Sequence, residues 1–213
     1  MSEVLAVDRD NPDDSILKHA ADVVKGGGLI VYPTETLYGI GADVTNPLIV
    51  GRINQVKRRA DTKPILMIVN SLEMMSPYVD SISPDARSLM DKFWPGPLTL
   101  VFKASRSVPP EITRDTGTVG VRIPSSRICL RLLEHTGVPL TSTSANRAGE
   151  KPAHTIQEIQ KGLTGIDLYL DAGKLPESQP STVVDMSGAT PRVLRSGAID
   201  NGRLRQLLPG ILT

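Results

Sequence analysis

Hydroxyl, amide and guanidinium side chains recur where strands are predicted to end. Thr34 and Thr36 follow the apolar run 29–32, and a run of small polar residues at 141–146 follows a strand predicted around Leu140. The residues of this kind at predicted strand ends are Thr34, Thr36, Arg59, Arg122, Ser142, Ser144, Asn146, Ser181 and Arg195. Such a set can bind carboxylate and phosphate without supplying a nucleophile or a general base. Because phosphoryl and nucleotidyl transfer depend mainly on positioning and charge stabilisation, the set favours adenylate chemistry over hydrolysis.

Common nucleotide-binding and hydrolase signatures are missing from the sequence. The glycine run 26–28 is not followed by Gly-Lys-Ser/Thr, so it is not a P-loop, and 39–41 lacks the third glycine of the dinucleotide fingerprint. Neither a CxxC nor an HExxH pattern occurs, which argues against a structural zinc site. The spacing flags no histidine as the partner of a serine and a carboxylate, so a serine triad is not favoured. The histidines are His19, His135 and His154.

A buried strand followed by a polar loop is predicted at residues 29–41. The apolar residues up to Tyr32 read as the strand, and Pro33 is expected to end it because proline has no N–H to donate. Gly39 and Gly41 permit a ligand to approach the backbone closely. Open α/β sheets bind ligands at such strand ends. The alternative is an ordinary turn in which the two threonines of the loop cap local amides.

The charge is balanced overall but clustered locally. The formal net charge is +1, which argues against a generally basic nucleic-acid-binding surface. Cations nevertheless concentrate at 52–63 and at 103–131, and two such clusters in a neutral protein indicate a focused anionic ligand. A solvated basic face is the alternative. For Lys57, at the predicted carboxyl end of a helix, the helix dipole supplies a structural explanation of its own.

Cysteine usage and the absence of apolar segments indicate the cellular environment. Cys129 is the single cysteine, so no internal disulfide can form and a reducing compartment is expected. Residues 1–10 have neither the basic start nor the apolar core of a signal peptide. No apolar run approaches the roughly 18 residues of a membrane span. We therefore expect a cytoplasmic protein with no membrane partner.

Predicted strands and helices alternate along the chain, and two strands, 181–185 and 192–195, close it as a pair. The helix starts marked by a cap residue before proline, or by a capping box, are Asn11-Pro12, Asn46-Pro47, Ser83-Pro84 and Thr155 with Glu158. This alternation predicts an α/β (α+β) fold in one mixed domain over 1–213, with a core of about 12–200.

Motifs spread over most of the chain resemble those of one known family. They are, in order, Pro33-Thr34-Glu35-Thr36-x-Tyr38-Gly39-x-Gly41, Lys57-x-Arg59 with Lys63-Pro64, Trp94-Pro95-Gly96-Pro97-Leu98-Thr99, Val121-Arg122-Ile123-Pro124, Ser144-Ala145-Asn146, Pro180-Ser181-Thr182-Val183-Val184-Asp185 and Arg195-x-Gly197-x-Ile199. In order and spacing they are similar to the YrdC family, whose characterised members are L-threonylcarbamoyladenylate synthases.

The resemblance implies a fold and a reaction. The fold would be a strongly twisted mixed parallel/antiparallel sheet, flanked by helices, with a concave basic groove. The reaction would join L-threonine, bicarbonate and ATP to threonylcarbamoyl-AMP with release of pyrophosphate, for the threonylcarbamoyl adenosine modification of tRNA. Longer relatives carry a second carboxy-terminal domain, which we do not expect in this chain.

The resemblance also implies roles for individual residues. The residues expected to contact L-threonine are Thr34, Thr36, Arg122, Ser142 and Ser181. Those expected to bind ATP are Lys57, Arg59, Lys63, Thr118, Ser144, Asn146 and Arg195. Of these, Lys57, Arg59 and Arg195 would be catalytic, by stabilising the departing pyrophosphate together with Mg²⁺.

Further partners implied by the resemblance are tRNA or double-stranded RNA and a downstream tRNA threonylcarbamoyl transferase complex. The alternative function is an RNA-binding module of the same fold without synthase activity. Few aromatic side chains are available for base stacking, which argues against that alternative. The sequence departs from many relatives at Ala60, Lys63 and Ile68, where they carry proline, asparagine and histidine.

Overall fold

The structure, a computed structural model, describes residues 2–58, 65–114 and 116–213. The strands are β1 (Glu3–Ala6), β2 (Ile30–Pro33), β3 (Tyr38–Gly41), β4 (Met67–Ile68), β5 (Leu98–Lys103), β6 (Thr118–Arg122), β7 (Leu140–Thr141), β8 (Thr143–Ser144), β9 (Leu168–Asp171), β10 (Thr182–Asp185) and β11 (Arg192–Arg195). The helices are α1 (Asp14–Lys25), α2 (Ile49–Lys57), α3 (Leu72–Met75), α4 (Pro84–Phe93), α5 (Pro110–Thr113), α6 (Arg127–Thr136), α7 (Ile156–Gly162) and α8 (Asn201–Leu207), with a 3₁₀ turn at Ser76–Tyr78. Across these ranges, none of the helices combines the length and the apolar character needed to cross a membrane.

The strands form two sheets, and each mixes parallel with antiparallel pairs. One sheet has the order β1-β9-β2-β3-β8 and the other the order β11-β10-β5-β6-β4-β7. In the first, β9 pairs in parallel with β1 and β2, whereas β3 runs antiparallel to its neighbours. The predicted mixed α/β fold is confirmed, although the strands are divided between two sheets where one was expected.

The two sheets meet where β7 leads into β8. The amide of Thr141 donates to the carbonyl of Ala42 at 2.9 Å, just beyond the end of β3, and the amide of Ser142 donates to Leu66 at 2.7 Å, just before β4. The neighbouring residues Thr141 and Ser142 therefore link this segment to both sheets by backbone hydrogen bonds. This junction brings β3, β4 and the polar run 141–146 together.

The strand β2 separates two cores because its side chains alternate. Ile30 and Tyr32 pack with the apolar faces of α1 and α6, whereas Leu29 and Val31 belong to the larger core on the other side of the sheet. All four side chains are fully buried. Burial on both faces explains why this stretch of the sequence is a continuous apolar run.

Two helix starts differ from the predicted ones. The helix α1 begins at Asp14, capped by the side chain of Asp13, rather than at Asn11-Pro12. The helix α2 begins at Ile49, and Asn46 acts ahead of it by accepting a hydrogen bond from the amide of Leu48 at 3.0 Å. The predicted starts at Ser83-Pro84 and at the capping box of α7 are confirmed.

The strand β2 ends at Pro33, as predicted, although Pro33 itself is still paired with Tyr38 of β3. The strand β9 pairs only with Ile30 and Val31 on the other side of β2. Proline is tolerated here because no strand on that side requires its missing N–H. The polar loop therefore starts at Thr34.

We predict opposite effects on stability for alanine at two glycines. A Cβ at Gly41 would lie 2.6 Å from Cε1 and 2.9 Å from Cδ1 of the buried Tyr32 ring, so Gly41→Ala should lower the free energy of unfolding by about 1–3 kcal/mol. A Cβ at Gly51, within α2, would meet nothing within 4 Å, so Gly51→Ala should raise it by up to about 1 kcal/mol. Urea denaturation followed by circular dichroism measures both. Wild-type stability of Gly41→Ala would show that the Tyr32 ring is not fixed against β3.

Candidate active site

A cavity of about 470 Å³ opens at the junction of the two sheets. The predicted site residues that line it are Thr34, Thr36, Arg122, Ser142, Ser144, Asn146, Ser181 and Arg195. They come from five separate segments of the chain, and the sheet junction brings them together around one cavity. The predicted convergence of hydroxyl, amide and guanidinium groups is therefore found in the structure.

The hydroxyl of Thr34 organises the loop between β2 and β3. It donates to the carbonyl of Leu37 at 2.8 Å and accepts the amides of Thr36 and Leu37, both at 3.1 Å. The hydroxyl of Thr36 lies 3.0 Å from it. Thr34 lines the cavity, but its hydrogen-bonding capacity is used within the turn, as the local-capping alternative proposed. Thr36 is the threonine of this loop that also reaches an arginine.

The base of this loop is fixed from behind by the first turn of α6. The carbonyl of Pro33 accepts hydrogen bonds from the hydroxyl of Ser126 at 3.3 Å and from the thiol of Cys129 at 3.4 Å. Burial, followed by the negative charge of Glu35, raises the pKa of the Cys129 thiol to about 12. Cys129 therefore stays protonated and acts as a donor to the loop rather than as a nucleophile.

Arg122 is held by a carboxylate that the sequence did not single out. Its Nη1 lies 3.3 Å from Oε1 of Glu35 and 3.4 Å from the hydroxyl of Thr36. The two side chains of the ion pair are 6% and 17% exposed. The second oxygen of Glu35, Oε2, is buried and has no hydrogen-bond partner among the described residues. Glu35 lies in a quoted motif, but a glutamate beside two threonines carries no sequence signal that it faces Arg122.

Arg195 is held by neutral groups. Its Nε and Nη2 donate to the carbonyl of Ser181 at 3.1 and 2.9 Å, and Nη2 also donates to the Ser181 hydroxyl at 3.1 Å. That hydroxyl lies 2.9 Å from the hydroxyl of Thr99, a second residue that the sequence did not single out. Partial burial, and then the positive charge of Arg122, lower the pKa of Arg195. Both guanidinium groups thus line one cavity, and Arg195 is the one held without a carboxylate among the described residues.

Lys57 lies behind the cavity and does not line it. Its side chain is buried at the end of α2, where Arg58 follows in the left-handed region with a φ of 47°. The ammonium donates to the carbonyl of Ser144 at 2.5 Å and of Asn146 at 2.7 Å, and the carbonyl of Lys57 accepts the amide of Ala148 at 3.0 Å. Lys57 therefore fixes the loop that carries Ser144 and Asn146.

The carboxamide of Asn146 presents its oxygen without a partner. Its Nδ2 donates to the carbonyls of Arg147 at 2.9 Å and Glu150 at 2.7 Å, which fixes the orientation of the amide because carbonyls only accept. The oxygen, Oδ1, is buried and unpaired in the part of the chain that the structure describes. Within that part, no cluster of three or more histidine, cysteine, aspartate or glutamate residues could hold a metal ion by itself.

Of the predicted ATP-binding residues that the structure describes, Lys57 and Thr118 do not line this cavity. Thr118 begins β6, four residues before Arg122 and thus roughly 13 Å away along the strand. It lines a different cavity together with Lys103 and Arg106. Arg59 and Lys63 lie outside the described residues. The roles expected for all the ATP-binding residues stay predictions.

The family of the chain can be stated from comparison with known proteins. The family model Sua5_yciO_yrdC, described as telomere recombination, matches residues 22–197. The chain belongs to the Sua5/YciO/YrdC family. One relative, the threonylcarbamoyl-AMP synthase of Thiobacillus denitrificans, is 37% identical over 174 residues, which cover 81% of this chain and 91% of that protein.

Two solved structures of the Sua5/YciO/YrdC family are close to this fold. Sua5 from P. abyssi, solved in complex with L-threonine, matches with a TM-score of 0.94 and 31% identity. That match covers 99% of this chain but 62% of Sua5, so the chain spans less than two thirds of that relative. YciO from E. coli matches with a TM-score of 0.86 and 31% identity, covering 94% of this chain and 98% of YciO.

We predict that Lys57→Met loosens the loop at 144–148. The substitution removes the donor to two carbonyls, so the free energy of unfolding should fall by about 1–3 kcal/mol. Amide hydrogen exchange at Ala148 should accelerate by a larger factor than the measured fall in the free energy of unfolding alone would produce. The matched control is Lys161→Met, because Lys161 also lies in the last turn of a helix but is exposed. Equal effects of the two substitutions would mean that Lys57 serves only the end of α2.

Proposed function

We propose that this chain is a threonylcarbamoyl-AMP synthase, a nucleotidyltransferase that condenses L-threonine, bicarbonate and ATP. The observation that carries the proposal is that Arg122 and Arg195 line one cavity of about 470 Å³. Such a cavity can hold a carboxylate and a triphosphate side by side. Further support comes from the Thiobacillus denitrificans relative, which is named as this enzyme, and from Sua5, which was solved with L-threonine.

The amino acid is assigned to the end of the cavity formed by Arg122. The guanidinium offers its free edge to the carboxylate of L-threonine, while Nη1 stays with Glu35 and Thr36. The hydroxyls of Thr36 and Ser142 supply neutral polar contacts, and the buried Ile68 supplies an apolar wall. This end therefore combines a carboxylate-binding group with a surface that suits a small, partly apolar side chain.

The nucleotide is assigned to the end formed by Arg195, Ser144 and Asn146. The guanidinium of Arg195 neutralises phosphate charge, and the loop that carries Ser144 and Asn146 is held in place by Lys57. Lys57 serves ATP through this loop rather than by touching a phosphate. Arg59 and Lys63 complete the triphosphate contacts in this proposal, as the resemblance implied.

The chemistry requires positioning more than proton transfer by the protein. The ammonium of L-threonine first loses a proton to solvent, and the neutral amine and bicarbonate then form a carbamate and release water. A carbamate oxygen then bonds to the α-phosphorus of ATP while the bond from that phosphorus to the pyrophosphate oxygen breaks. The negative charge that collects on pyrophosphate is stabilised by Arg195. No covalent bond to the protein forms, which agrees with a cavity made of hydroxyl, amide and guanidinium groups.

Mg²⁺ fits this cavity as a companion of ATP rather than as a resident ion. No cluster of three classical ligands occurs among the described residues, but Mg²⁺ in nucleotide sites takes most of its ligands from phosphates and water. The unpaired Oδ1 of Asn146 and the carboxylate of Glu150 are the protein oxygens that would hold it. When bound, the ion supplies charge neutralisation at the phosphate oxygens.

The product is a mixed anhydride of a carbamic and a phosphoric acid, so a transferase must consume it. We assign that role to a tRNA threonylcarbamoyl transferase complex in the cytoplasm, where both ATP and tRNA are present. Direct contact of this chain with tRNA is a further part of the proposal.

We predict that the purified protein releases pyrophosphate from ATP only when L-threonine and bicarbonate are present. Arg195→Ala should lower the turnover by about 10²–10³-fold, the usual effect of losing one transition-state charge contact. Arg122→Met should instead raise the KM for L-threonine more than the KM for ATP, because it removes the carboxylate contact. A coupled assay for pyrophosphate measures all three.

The matched control for Arg195 is Arg192→Ala. Arg192 starts the same strand, β11, and does not line the cavity, so its loss should change the turnover less than about twofold. Pyrophosphate release that is indifferent to L-threonine would overturn the substrate assignment. Equal losses in the Arg192 and Arg195 variants would overturn the assignment of the phosphate end.

A further inference from the structure

The two arginines of the cavity differ in how their charge is compensated. Arg122 forms a buried ion pair with Glu35, with Nη1 and Oε1 3.3 Å apart. Arg195 is bound by the carbonyl and hydroxyl of Ser181, and no carboxylate within the described ranges lies within ion-pair distance of it. The guanidinium of Arg122 is therefore compensated by a carboxylate in direct contact, whereas the guanidinium of Arg195 is not.

This difference matches the charges of the two substrates. An α-amino acid is a zwitterion with no net charge, whereas a nucleoside triphosphate is a polyanion. A polyanion gains more from an uncompensated cation, and a zwitterion gains more from a cation that has an anion beside it. Glu35 thus makes the Arg122 end a poor site for phosphate while Arg122 can still bind a carboxylate.

The packing of Glu35 indicates that its charge, rather than its hydrogen bonding, is what the site uses. Its Oε2 is buried and unpaired among the described residues, and leaving a buried carboxylate oxygen without a donor is unfavourable for folding. A buried ion pair by itself is also weak evidence for a gain in stability. The arrangement is explained if the negative charge is needed beside Arg122.

We propose that Glu35 is a specificity-determining residue, whose negative charge beside Arg122 makes that end of the cavity select a zwitterionic amino acid over anions. The proposal rests on the proposed function for the position of the amino acid. It assigns Glu35 no contact with substrate, because Glu35 does not line the cavity. Glu35 acts by compensating the charge of the Arg122 guanidinium and through the electrostatic potential of its own carboxylate.

The test compares two ligands of nearly equal shape and different charge. L-Threonine is a zwitterion, and 2,3-dihydroxybutanoate, its analogue with a hydroxyl in place of the amine, has one net negative charge. Isothermal titration calorimetry of the full chain, without ATP or metal, gives the ratio of the two affinities. We expect Glu35→Gln to lower the preference for L-threonine by about tenfold or more. A merely structural lesion would weaken both ligands alike and leave the ratio unchanged.

Two further variants control for charge and shape. Glu35→Asp keeps the carboxylate and should keep the preference for the zwitterion. Glu177→Gln removes a carboxylate from an exposed residue next to Ser178, whose hydroxyl donates to the carbonyl of Thr36, and should also leave the ratio unchanged. An unchanged ratio in Glu35→Gln, or an equal change in Glu177→Gln, would overturn the proposal.

A measurement on the wild-type protein keeps the proposal testable if Glu35→Gln fails to fold. Inorganic phosphate should compete with ATP at the Arg195 end but should not displace L-threonine. Displacement of L-threonine by phosphate would overturn the proposal. The outcome is separable from that of the proposed function: a protein that prefers L-threonine through Glu35 but releases no pyrophosphate would refute the synthase alone. An active synthase with an unchanged ratio would refute the role of Glu35 alone.

Discussion

Two guanidinium groups, those of Arg122 and Arg195, are held in one cavity although their positive charges repel each other. The repulsion lowers the pKa of Arg195 in addition to the effect of burial. The protein tolerates it because each group has a different partner, the carboxylate of Glu35 for Arg122 and the Ser181 carbonyl and hydroxyl for Arg195. The two sets of contacts form together because the loop between β2 and β3 carries Glu35 to the end of β6, while β10 and β11 bring Ser181 to Arg195.

The loops around this cavity are fixed mainly by side chains that donate to their carbonyl groups. A loop at a sheet junction cannot satisfy its carbonyls in a ladder, so other donors must do so. The carbonyls satisfied in this way are those of Pro33 by Ser126 and Cys129, Thr36 by Ser178, Ser144 and Asn146 by Lys57, and Ser181 by Arg195. The donors come from helices α2 and α6, the strand β11 and the segment before β10. The site is therefore held by long-range contacts rather than by local turn geometry alone.

Local sequence signals predicted the parts of the structure that local physics decides. The cap at Ser83-Pro84, the capping box of α7 and the buried strand at 29–32 were each readable because the residues involved lie within one turn or one strand. The pairing of Pro33 with Tyr38 was missed because it depends on where β9 stops, which is a property of another strand. The division into two sheets was missed because it, too, depends on how strands distant in the sequence pair with one another.

For the candidate site, too, the sequence predicted which residue types take part but not the long-range contacts between them. The residue types and the resemblance predicted a shared site, and eight of the predicted residues line one cavity in the structure. The prediction was possible because strand ends with polar residues tend to meet at one edge of a sheet. The residue types and the resemblance assigned no role to Glu35, because its contact is with Arg122, 87 positions away. For Lys57 the sequence suggested two explanations, a favourable interaction with the helix dipole and a contact with phosphate. Neither explanation requires the side chain to be buried, as it is in the structure.

The burial of Lys57 shows how a lysine can organise the wall of a cavity that it does not line. A lysine ammonium loses its hydration when it is buried, and strong acceptors must replace the water. Here the acceptors include two carbonyls separated by one residue, so the ammonium fixes both and, with them, the orientation of the residue between. Arginine would offer a planar fork of donors at a greater reach, so it would not place a single compact donor group at the same point. The loop geometry therefore favours a compact cation at this position.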